Sequence, residues 1–192
     1  MIVIVNGSMG AGKTSFESMV CRLVGENKFG YIVSTIDFVK DVARKCGWDG
    51  TKTPENRKFL SDLKDLLTDW NDIPFKKVKE EVETIKYEME VADLDPEKSI
   101  IFIDCREPKE IKRLCEELGA KSLLIRRATA ENEKASNHAD ADVLNYNYDI
   151  VIENNGTIID LYYKAYDFAV ENGLLQRSAL KLFEDFVELY KE

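Results

Sequence analysis

The sequence predicts an α/β fold of three layers, αβα, in which a five-stranded parallel sheet lies between two layers of helices. Short apolar runs alternate with helical stretches along the 192 residues, as expected of parallel strands joined by helices. These runs are rich in β-branched residues and show no polar alternation, so they predict strands buried on both faces. A hydrophobic fraction of 44% is sufficient for the core of a single domain.

The apolar runs give the order of strands and helices. We predict strands at 2–6, 31–34, 100–104, 122–125 and 149–153. We predict connecting helices at 13–24, 38–46, 108–118 and 157–170, and a closing helix at about 174–190. Pro108 in the first turn of its helix and Gly119 just beyond its end are typical of those two positions.

Residues 53–92 predict a helical lobe inserted between the second and third strands. Two long helices are expected there, separated at Asp72-Ile73-Pro74. Apolar residues recur every three or four positions in each helix, so we expect each helix to bury one face. The expected buried residues are Phe59, Leu63, Leu66, Leu67 and Trp70 in the first helix and Phe75, Val78, Val82, Ile85 and Met89 in the second. The mixed charges of the outer face indicate a solvated surface.

Charge and composition narrow the possible partners. The net charge of −9 argues against a general nucleic-acid groove, because such a surface needs a basic face to displace counterions. We therefore expect small-molecule ligands. The sequence has no apolar run of the about 18 residues that a membrane helix needs and no secretory signal pattern, so we expect a cytoplasmic protein, monomeric or homodimeric, without membrane partners. The four cysteines lack metal-site spacing and are expected to be reduced thiols.

The loop after the first predicted strand carries the most specific motif in the chain. It matches the phosphate-binding pattern G-x-x-x-x-G-K-[ST] at every fixed position, as Gly7-Ser8-Met9-Gly10-Ala11-Gly12-Lys13-Thr14. Such a loop turns its backbone N–H groups toward phosphate oxygens, and the next helix adds the positive end of its dipole. We predict that this loop, together with Ser15, binds a nucleoside triphosphate, with Lys13 at the β- and γ-phosphates and Thr14 on Mg²⁺.

Charged residues follow the third and fourth predicted strands. Asp104 ends an apolar strand, as the carboxylate beside magnesium does in phosphate-loop proteins, so we predict it as a second metal ligand. A helix cap or a turn is the alternative for Asp104. Arg106 lies where a guanidinium can bind a phosphate, although a surface ion pair is also consistent with it. Arg126 and Arg127 close the fourth strand, and we expect only one of them to face the crevice.

Two further regions are candidates for binding and covering a second substrate. Thr35 and Asp37 supply a hydroxyl and a carboxyl group where an acceptor would enter, and Arg57 near the start of the lobe is a candidate for its phosphate. A cap at Asp37 and solvated charge at Arg57 are the alternatives. Residues 127–148 form a long polar segment, for which we expect a lid that excludes water. This segment contains Asn132, Asn137, His138, Asp140 and Asp142.

With these residues in place, the chain resembles the P-loop nucleoside monophosphate kinases, in particular the deoxynucleoside monophosphate kinases of bacteriophages and their bacterial relatives. The resemblance is strongest in the phosphate loop and in the C-terminal half. There it covers Asp104-Cys105-Arg106-Glu107, Leu118-Gly119-Ala120, the strand ending in Arg126, and Asp149-Ile150-Val151-Ile152-Glu153-Asn154-Asn155-Gly156. It implies a P-loop NTPase fold with a helical acceptor-binding lobe at about 53–92 and a short lid.

The resemblance also implies roles for individual residues. Asn154, Asn155 and Gly156 would lie near the adenine of ATP, and Arg106 would hold the acceptor phosphate. Arg126 or Arg127 would meet the transferring phosphoryl group, and Asp37 and Arg57 would belong to the acceptor pocket. The chain departs from the adenylate kinase pattern in its Asp-Cys-Arg-Glu-Pro loop and in a lid with fewer arginines. These departures affect the identity of the substrate more than the fold.

The expected activity is therefore an ATP- and Mg²⁺-dependent transfer of a phosphoryl group to a nucleoside monophosphate. One alternative is a kinase for another small phosphorylated or hydroxylated metabolite, such as phosphomevalonate. An alcohol acceptor would require a carboxylate base, for which Asp37 is the candidate. The other alternative is a nucleotide-sensing module that transfers nothing. The basic residues after the strands argue against a sensor, which has no need of a second anion site.

Overall fold

A computed structural model describes residues 1–24, 29–131 and 143–176 of the chain. Within these residues, five strands form one parallel sheet in the spatial order β2-β3-β1-β4-β5, so the predicted α/β class with a five-stranded parallel sheet is confirmed. The strands are β1 (Ile2–Asn6), β2 (Gly30–Ser34), β3 (Ile100–Asp104), β4 (Lys121–Arg126) and β5 (Ile150–Glu153).

The helices follow the predicted order, except that the short helix α6 was not predicted. They are α1 (Lys13–Val24), α2 (Asp37–Lys45), α3 (Pro54–Asn71), α4 (Ile73–Val91), α5 (Pro108–Leu118), α6 (Ala128–Glu131) and α7 (Ile158–Glu171). A short 3-10 turn, Pro96–Lys98, precedes β3. As predicted, Pro108 begins α5, and Gly119 ends it with a left-handed φ of 62°. The expected closing helix lies largely outside the described residues, and residues 174–176 are not helical.

Apolar side chains on the two faces of the sheet form two separate clusters. On one face Val3, Val5 and Phe102 pack against residues of α1 and α7, including Phe16 and Phe168. On the other face Ile4, Ile101 and Ile103 pack against residues of α4 and α5. Successive residues of a strand point to opposite faces, so unbroken apolar runs supply both clusters. This arrangement is compatible with a three-layer αβα fold.

The two lobe helices differ in how they bury their apolar residues. In α4 all five predicted residues, from Phe75 to Met89, are buried, so this prediction is confirmed. In α3 the prediction is wrong, because Leu66 and Trp70 are 65% and 77% exposed and Phe59 is exposed as well. Leu63 and Leu67 of α3 are half-buried. The physical reason is that α3 packs mainly on α2 and α4, which cover only part of its surface.

Several remaining expectations concern loops and surfaces. Residues 132–142, including Asn132, Asn137, His138, Asp140 and Asp142, lie outside the described residues, so only the ends of the expected 127–148 lid can be placed. One end contains the short helix α6. The four cysteines are all free thiols. None of the helices in the described parts of the chain is long and apolar enough to cross a bilayer.

Candidate functional site

The register of the sheet brings polar residues from several strands to one edge. Val5 and Ser34 both align with Asp104, and Arg126 aligns with Glu153. All the strands are parallel, so their carboxyl ends, and the loops that follow them, meet at this edge, which is the carboxyl edge of the sheet. The glycine loop between β1 and α1 is one of these loops.

The glycine loop depends on backbone conformations that other residues rarely adopt. Gly10 and Gly12 have φ values of 81° and 99°. At Gly12 a side chain would also collide with the Asn154 amide. Gly7, with a φ of 150°, lies against the backbone carbonyl of Ile125 in the same way. Glycine is therefore required at Gly7 and Gly12 by both conformation and close packing.

Two buried asparagines hold this loop in place from opposite ends. Asn6 accepts a hydrogen bond from Gly7 N (2.8 Å) and donates from Nδ2 to Arg106 O (3.1 Å) and Tyr148 Oη (2.7 Å). Asn154 Nδ2 donates to Ala11 O (2.8 Å). The predicted role of Asn154 was on the adenine side, whereas the contact seen here supports the loop backbone. Asn6 and Tyr148 were missed, although an Asn that ends an apolar run is a usable signal for Asn6.

Lys13 folds back over the loop that precedes it. Its Nζ donates to the carbonyl oxygens of Gly7 (2.6 Å) and Ser8 (3.2 Å). Thr14 and Ser15 follow in the first turn of α1, and both are exposed. An ammonium group, exposed hydroxyls and a helix N-terminus thus lie together, and this combination attracts polyanions.

Asp104 lies at the centre of the carboxyl edge and interacts with groups on both sides. Its backbone carbonyl accepts from Thr35 N (3.1 Å) and Thr35 Oγ1 (3.3 Å). Its Oδ1 is buried and has no hydrogen-bond partner among the described residues. Burial raises the pKa of Asp104, and the positive charges of Lys13 and Arg106 oppose that rise. Asp104 is therefore a half-buried residue whose buried Oδ1 has unused acceptor capacity within the described residues, and it interacts electrostatically with two cationic side chains.

Asp37 and Arg57, which were predicted to bind the acceptor, lie in the same region, but their polar groups contact other parts of the chain. The two carboxylate oxygens of Asp37 accept from Ser34 N (2.9 Å) and Lys40 Nζ (2.8 Å), so Asp37 stabilises the turn before α2. Arg57 donates from Nε to Lys52 O (3.1 Å) and from Nη1 to Met9 Sδ (3.3 Å). The contact with Met9 joins the start of α3 to the glycine loop.

The two adjacent arginines after β4 differ in their contacts within the described residues. Arg126 forms a two-pronged ion pair with Glu131 (2.8 and 2.9 Å) and a longer one with Glu153 (3.4 Å). These carboxylates raise the pKa of Arg126. Within the described residues, no ion pair is seen for Arg127, which is half-buried. Arg127 is therefore the more available of the two guanidinium groups.

Asn155 and Gly156 shape the turn after β5. Asn155 Oδ1 accepts from Ala128 N (2.8 Å), which connects this turn to the start of α6. Gly156 lies against the carboxylate of Asp160, where a side chain would collide. Asp160 and Thr157 form a capping box that begins α7. These contacts explain the Asn-Asn-Gly turn structurally, and its predicted place beside adenine stays a prediction.

Glu17 is a buried acidic residue that the sequence analysis did not select. It lies one turn after Lys13 in α1, has no exposed surface, and neither of its carboxylate oxygens has a hydrogen-bond partner among the described residues. Burial, with a smaller contribution from the charge of Asp104, raises the pKa of Glu17 to about 8, while Lys13 lowers it. An acidic residue between Phe16 and Met19, on the apolar face of a helix, was an available signal.

The carboxyl edge therefore combines a glycine loop with an ammonium group, the buried Glu17, the half-buried Asp104, and arginines from three separate segments. The side chains of Thr14, Glu17 and Asp104 offer oxygen atoms, which are the ligands that Mg²⁺ prefers. Glu17 Oε1 and Oε2 and Asp104 Oδ1 are buried without hydrogen-bond partners among the described residues, so these oxygens have unused acceptor capacity. No protein-family model matches the chain, and no curated protein matches it. Function is therefore inferred from these side chains.

Proposed function

We propose that this chain is a P-loop kinase that transfers the γ-phosphoryl group of ATP to the phosphate of a nucleoside monophosphate, with deoxynucleoside monophosphates as the favoured acceptors. The observation that carries this proposal is the contact of Arg57 Nη1 with Met9 Sδ at 3.3 Å. It brings an arginine of the helical lobe to the glycine loop. Transfer between two phosphates requires adjoining anion sites, because reacting atoms must approach to about 3–3.5 Å.

The glycine loop and Lys13 are assigned to ATP. A glycine loop that leads into a helix N-terminus can turn backbone N–H groups toward phosphate oxygens, and Lys13 at the loop supplies a full positive charge. Asn6 and Asn154 fix the loop before the ligand arrives, so little reorganisation is needed on binding. Thr14 and Asp104 are the residues that would hold Mg²⁺. When bound, this ion neutralises charge on the β- and γ-phosphates.

The arginines are assigned to the acceptor and to the transferring group. Arg57 and Arg106 approach the loop from α3 and from the segment after β3, which suits an acceptor phosphate between them. Arg127 is better placed than Arg126 for the transferring phosphoryl group, because Arg126 is committed to Glu131 and Glu153. An acceptor phosphate is already anionic, so positioning and charge neutralisation supply most of the rate.

The contacts of Asp37 support a phosphate acceptor over an alcohol. An alcohol acceptor needs a carboxylate that takes its proton. Both oxygens of Asp37 are occupied, one by Ser34 N and the other by Lys40 Nζ. Thr35 is likewise engaged, with its hydroxyl on the carbonyl of Asp104. These two residues are therefore better explained as supports of the acceptor side than as bases.

The proposal is tested by measuring ADP formation with Mg-ATP and a panel of nucleoside and deoxynucleoside monophosphates. The panel includes a phosphorylated non-nucleotide and a sample without acceptor. We expect ADP to form only with nucleoside monophosphates. We expect Lys13→Ala to lower the rate at least about 100-fold, as the removal of one preorganised charge donor typically does.

A matched control separates charge at the site from charge in general. Lys86 lies on the exposed side of α4 in an ion pair with Glu83, so Lys86→Ala should retain full activity. Circular dichroism should show the same fold for both variants. Full turnover by Lys13→Ala would contradict the proposal. ADP formed without an acceptor would indicate an ATPase, and none with any acceptor would indicate a binding protein.

A further inference from the structure

The buried carboxylate of Glu17 is not explained by contacts within the described residues. Glu17 is 0% exposed, and neither Oε1 nor Oε2 accepts a hydrogen bond from a described residue. A buried carboxylate without partners is costly, and native proteins rarely retain one unless a water, an ion or a functional need accounts for it. The oxygens of Glu17 therefore point to a partner from outside the polypeptide.

A second orphaned oxygen lies in the same region. Asp104 Oδ1 is also buried without a hydrogen-bond partner in the described parts of the chain. Phe16, the residue before Glu17, packs on Phe102 with ring centroids 6.5 Å apart, and Phe102 and Asp104 lie two residues apart on the same face of β3, so α1 lies along the face of the sheet that carries Asp104. The charge of Asp104 also raises the pKa of Glu17. They form no hydrogen bond with each other, and Lys13 nearby donates to the carbonyls of Gly7 and Ser8. The carboxyl groups of Glu17 and Asp104 thus lie in one region of the fold with no hydrogen bond between them.

Helix spacing adds a further oxygen beside this pair. Thr14 lies three residues before Glu17 in α1, and residues with that spacing are neighbours on a helix surface. Carboxylate and hydroxyl oxygens are hard ligands, which suit Mg²⁺ or Mn²⁺ better than thiol-seeking metals. A divalent cation between two carboxylates also offsets their mutual repulsion.

We propose that Glu17 and Asp104 together bind a divalent cation, Mg²⁺ or Mn²⁺, in the absence of nucleotide. Glu17 is the new ligand, and the site holds its ion before ATP arrives. The inference deepens the proposed function in that a preloaded ion would lie beside Thr14 and the glycine loop. Only the link between this ion and ATP rests on the proposed function, because cation binding itself requires neither nucleotide nor phosphoryl transfer.

The test is a titration of the nucleotide-free full chain with Mn²⁺, with free Mn²⁺ followed by electron paramagnetic resonance. We expect saturable binding of one ion, displaced by excess Mg²⁺. Glu17→Gln keeps the size of the side chain and removes its charge, and it should weaken Mn²⁺ binding at least about tenfold. Asp104→Asn provides the second variant and should have the same effect. Mn²⁺ should raise the melting temperature of the unmodified protein and leave that of Glu17→Gln unchanged.

A matched control addresses the other group of metal-ligating side chains in the described residues, Cys105, Glu107 and Glu110. Lys64 pairs with both of these glutamates, so its ammonium group already takes the place of a cation there. Glu110→Gln should therefore leave Mn²⁺ binding unchanged. No saturable binding to the unmodified protein, or equal affinity in Glu17→Gln, would overturn the inference. Mn²⁺ binding without any phosphoryl transfer would instead leave it standing and contradict the proposed function.

Discussion

The glycine loop and the helical lobe face each other across the proposed site, yet they are held in different ways. Buried asparagines and close backbone contacts hold the loop, through Asn6, Asn154 and the carbonyl of Ile125. The lobe is held by the apolar face of α4 and by the ion pairs of Lys64, while α3 leaves Leu66 and other apolar side chains exposed. Polar and backbone contacts therefore hold the loop, whereas apolar packing and buried ion pairs hold the lobe.

The largest effect should separate α4 from α3. Ile85 is 4% exposed against the sheet, whereas Leu66 on α3 is 65% exposed. Truncation of a buried aliphatic side chain leaves a cavity, so Ile85→Ala should lower the free energy of unfolding by about 3 kcal/mol. Leu66→Ala should change it by less than about 0.5 kcal/mol. Urea unfolding of both variants measures the difference, and equal losses would mean that α3 is buried as deeply as α4.

The attachment of the lobe through Lys64 should have a similar or slightly smaller effect. The Lys64 side chain is 9% exposed and pairs with Glu107 and Glu110 at the start of α5. Lys64→Met leaves these carboxylates without their cation, so stability should fall by about 3 kcal/mol. The control is Lys79→Met, which breaks a 40% exposed pair with Glu117 and should cost less than about 1 kcal/mol. A loss at Lys64 no larger than at Lys79 would contradict an electrostatic attachment.

The loop can be tested with two glycines of similar conformation. Gly12 and Gly47 have φ values of 99° and 96°, but only Gly12 has a neighbour in the way of a side chain, the Asn154 amide. Both Gly→Ala changes incur backbone strain of about 1 kcal/mol, and Gly12→Ala should cost about 1–2 kcal/mol more. Gly12→Ala should also weaken ATP binding, while Gly47→Ala should not. Thermal unfolding and nucleotide titration measure these effects.

The lobe attachment should also depend on pH. Burial, followed by its hydrogen bond with Glu107, raises the pKa of Glu110 from 4.5 to about 7. The folded protein then binds this proton more tightly than the unfolded chain does, so the contribution of Glu110 to stability falls as pH rises from 4.5 to 7. The loss should be on the order of 2 kcal/mol, and Glu110→Gln should remove it. Stability measured across this range in both proteins provides the check, and identical pH profiles would contradict it.

Apolar periodicity and the residue types at helix ends were sufficient to predict most of the fold. Strand and helix positions agree closely because apolar runs, Pro108 and Gly119 act locally. The prediction that α3 buries its apolar residues was wrong because periodicity identifies an apolar stripe but not what covers it. Lys64 is buried because two glutamates, 43 and 46 residues away in sequence, reach it. Such long-range partners leave no mark in a local pattern.

The candidate site likewise contains features that local sequence predicts and features that depend on distant partners. The glycine motif located the loop in advance, and Gly10 and Gly12 within it adopt φ values that glycine accommodates readily. Asn6 and Glu17 each carried a local signal, but their contacts with Tyr148 and Asp104, which lie far away in the chain, could not be predicted from it. Asn154 was assigned by resemblance, and its bond to the loop became visible only with the register of β5 beside β4.

The most direct test of the central claim is the stoichiometry of the products. Phosphorus NMR of the purified protein with Mg-ATP and a deoxynucleoside monophosphate follows both nucleotides in one sample. Transfer between two adjoining anion sites predicts one deoxynucleoside diphosphate for every ADP, and inorganic phosphate should not accumulate. Inorganic phosphate in place of the diphosphate, or unchanged ATP with every acceptor, would contradict a two-anion site at the carboxyl edge of the sheet.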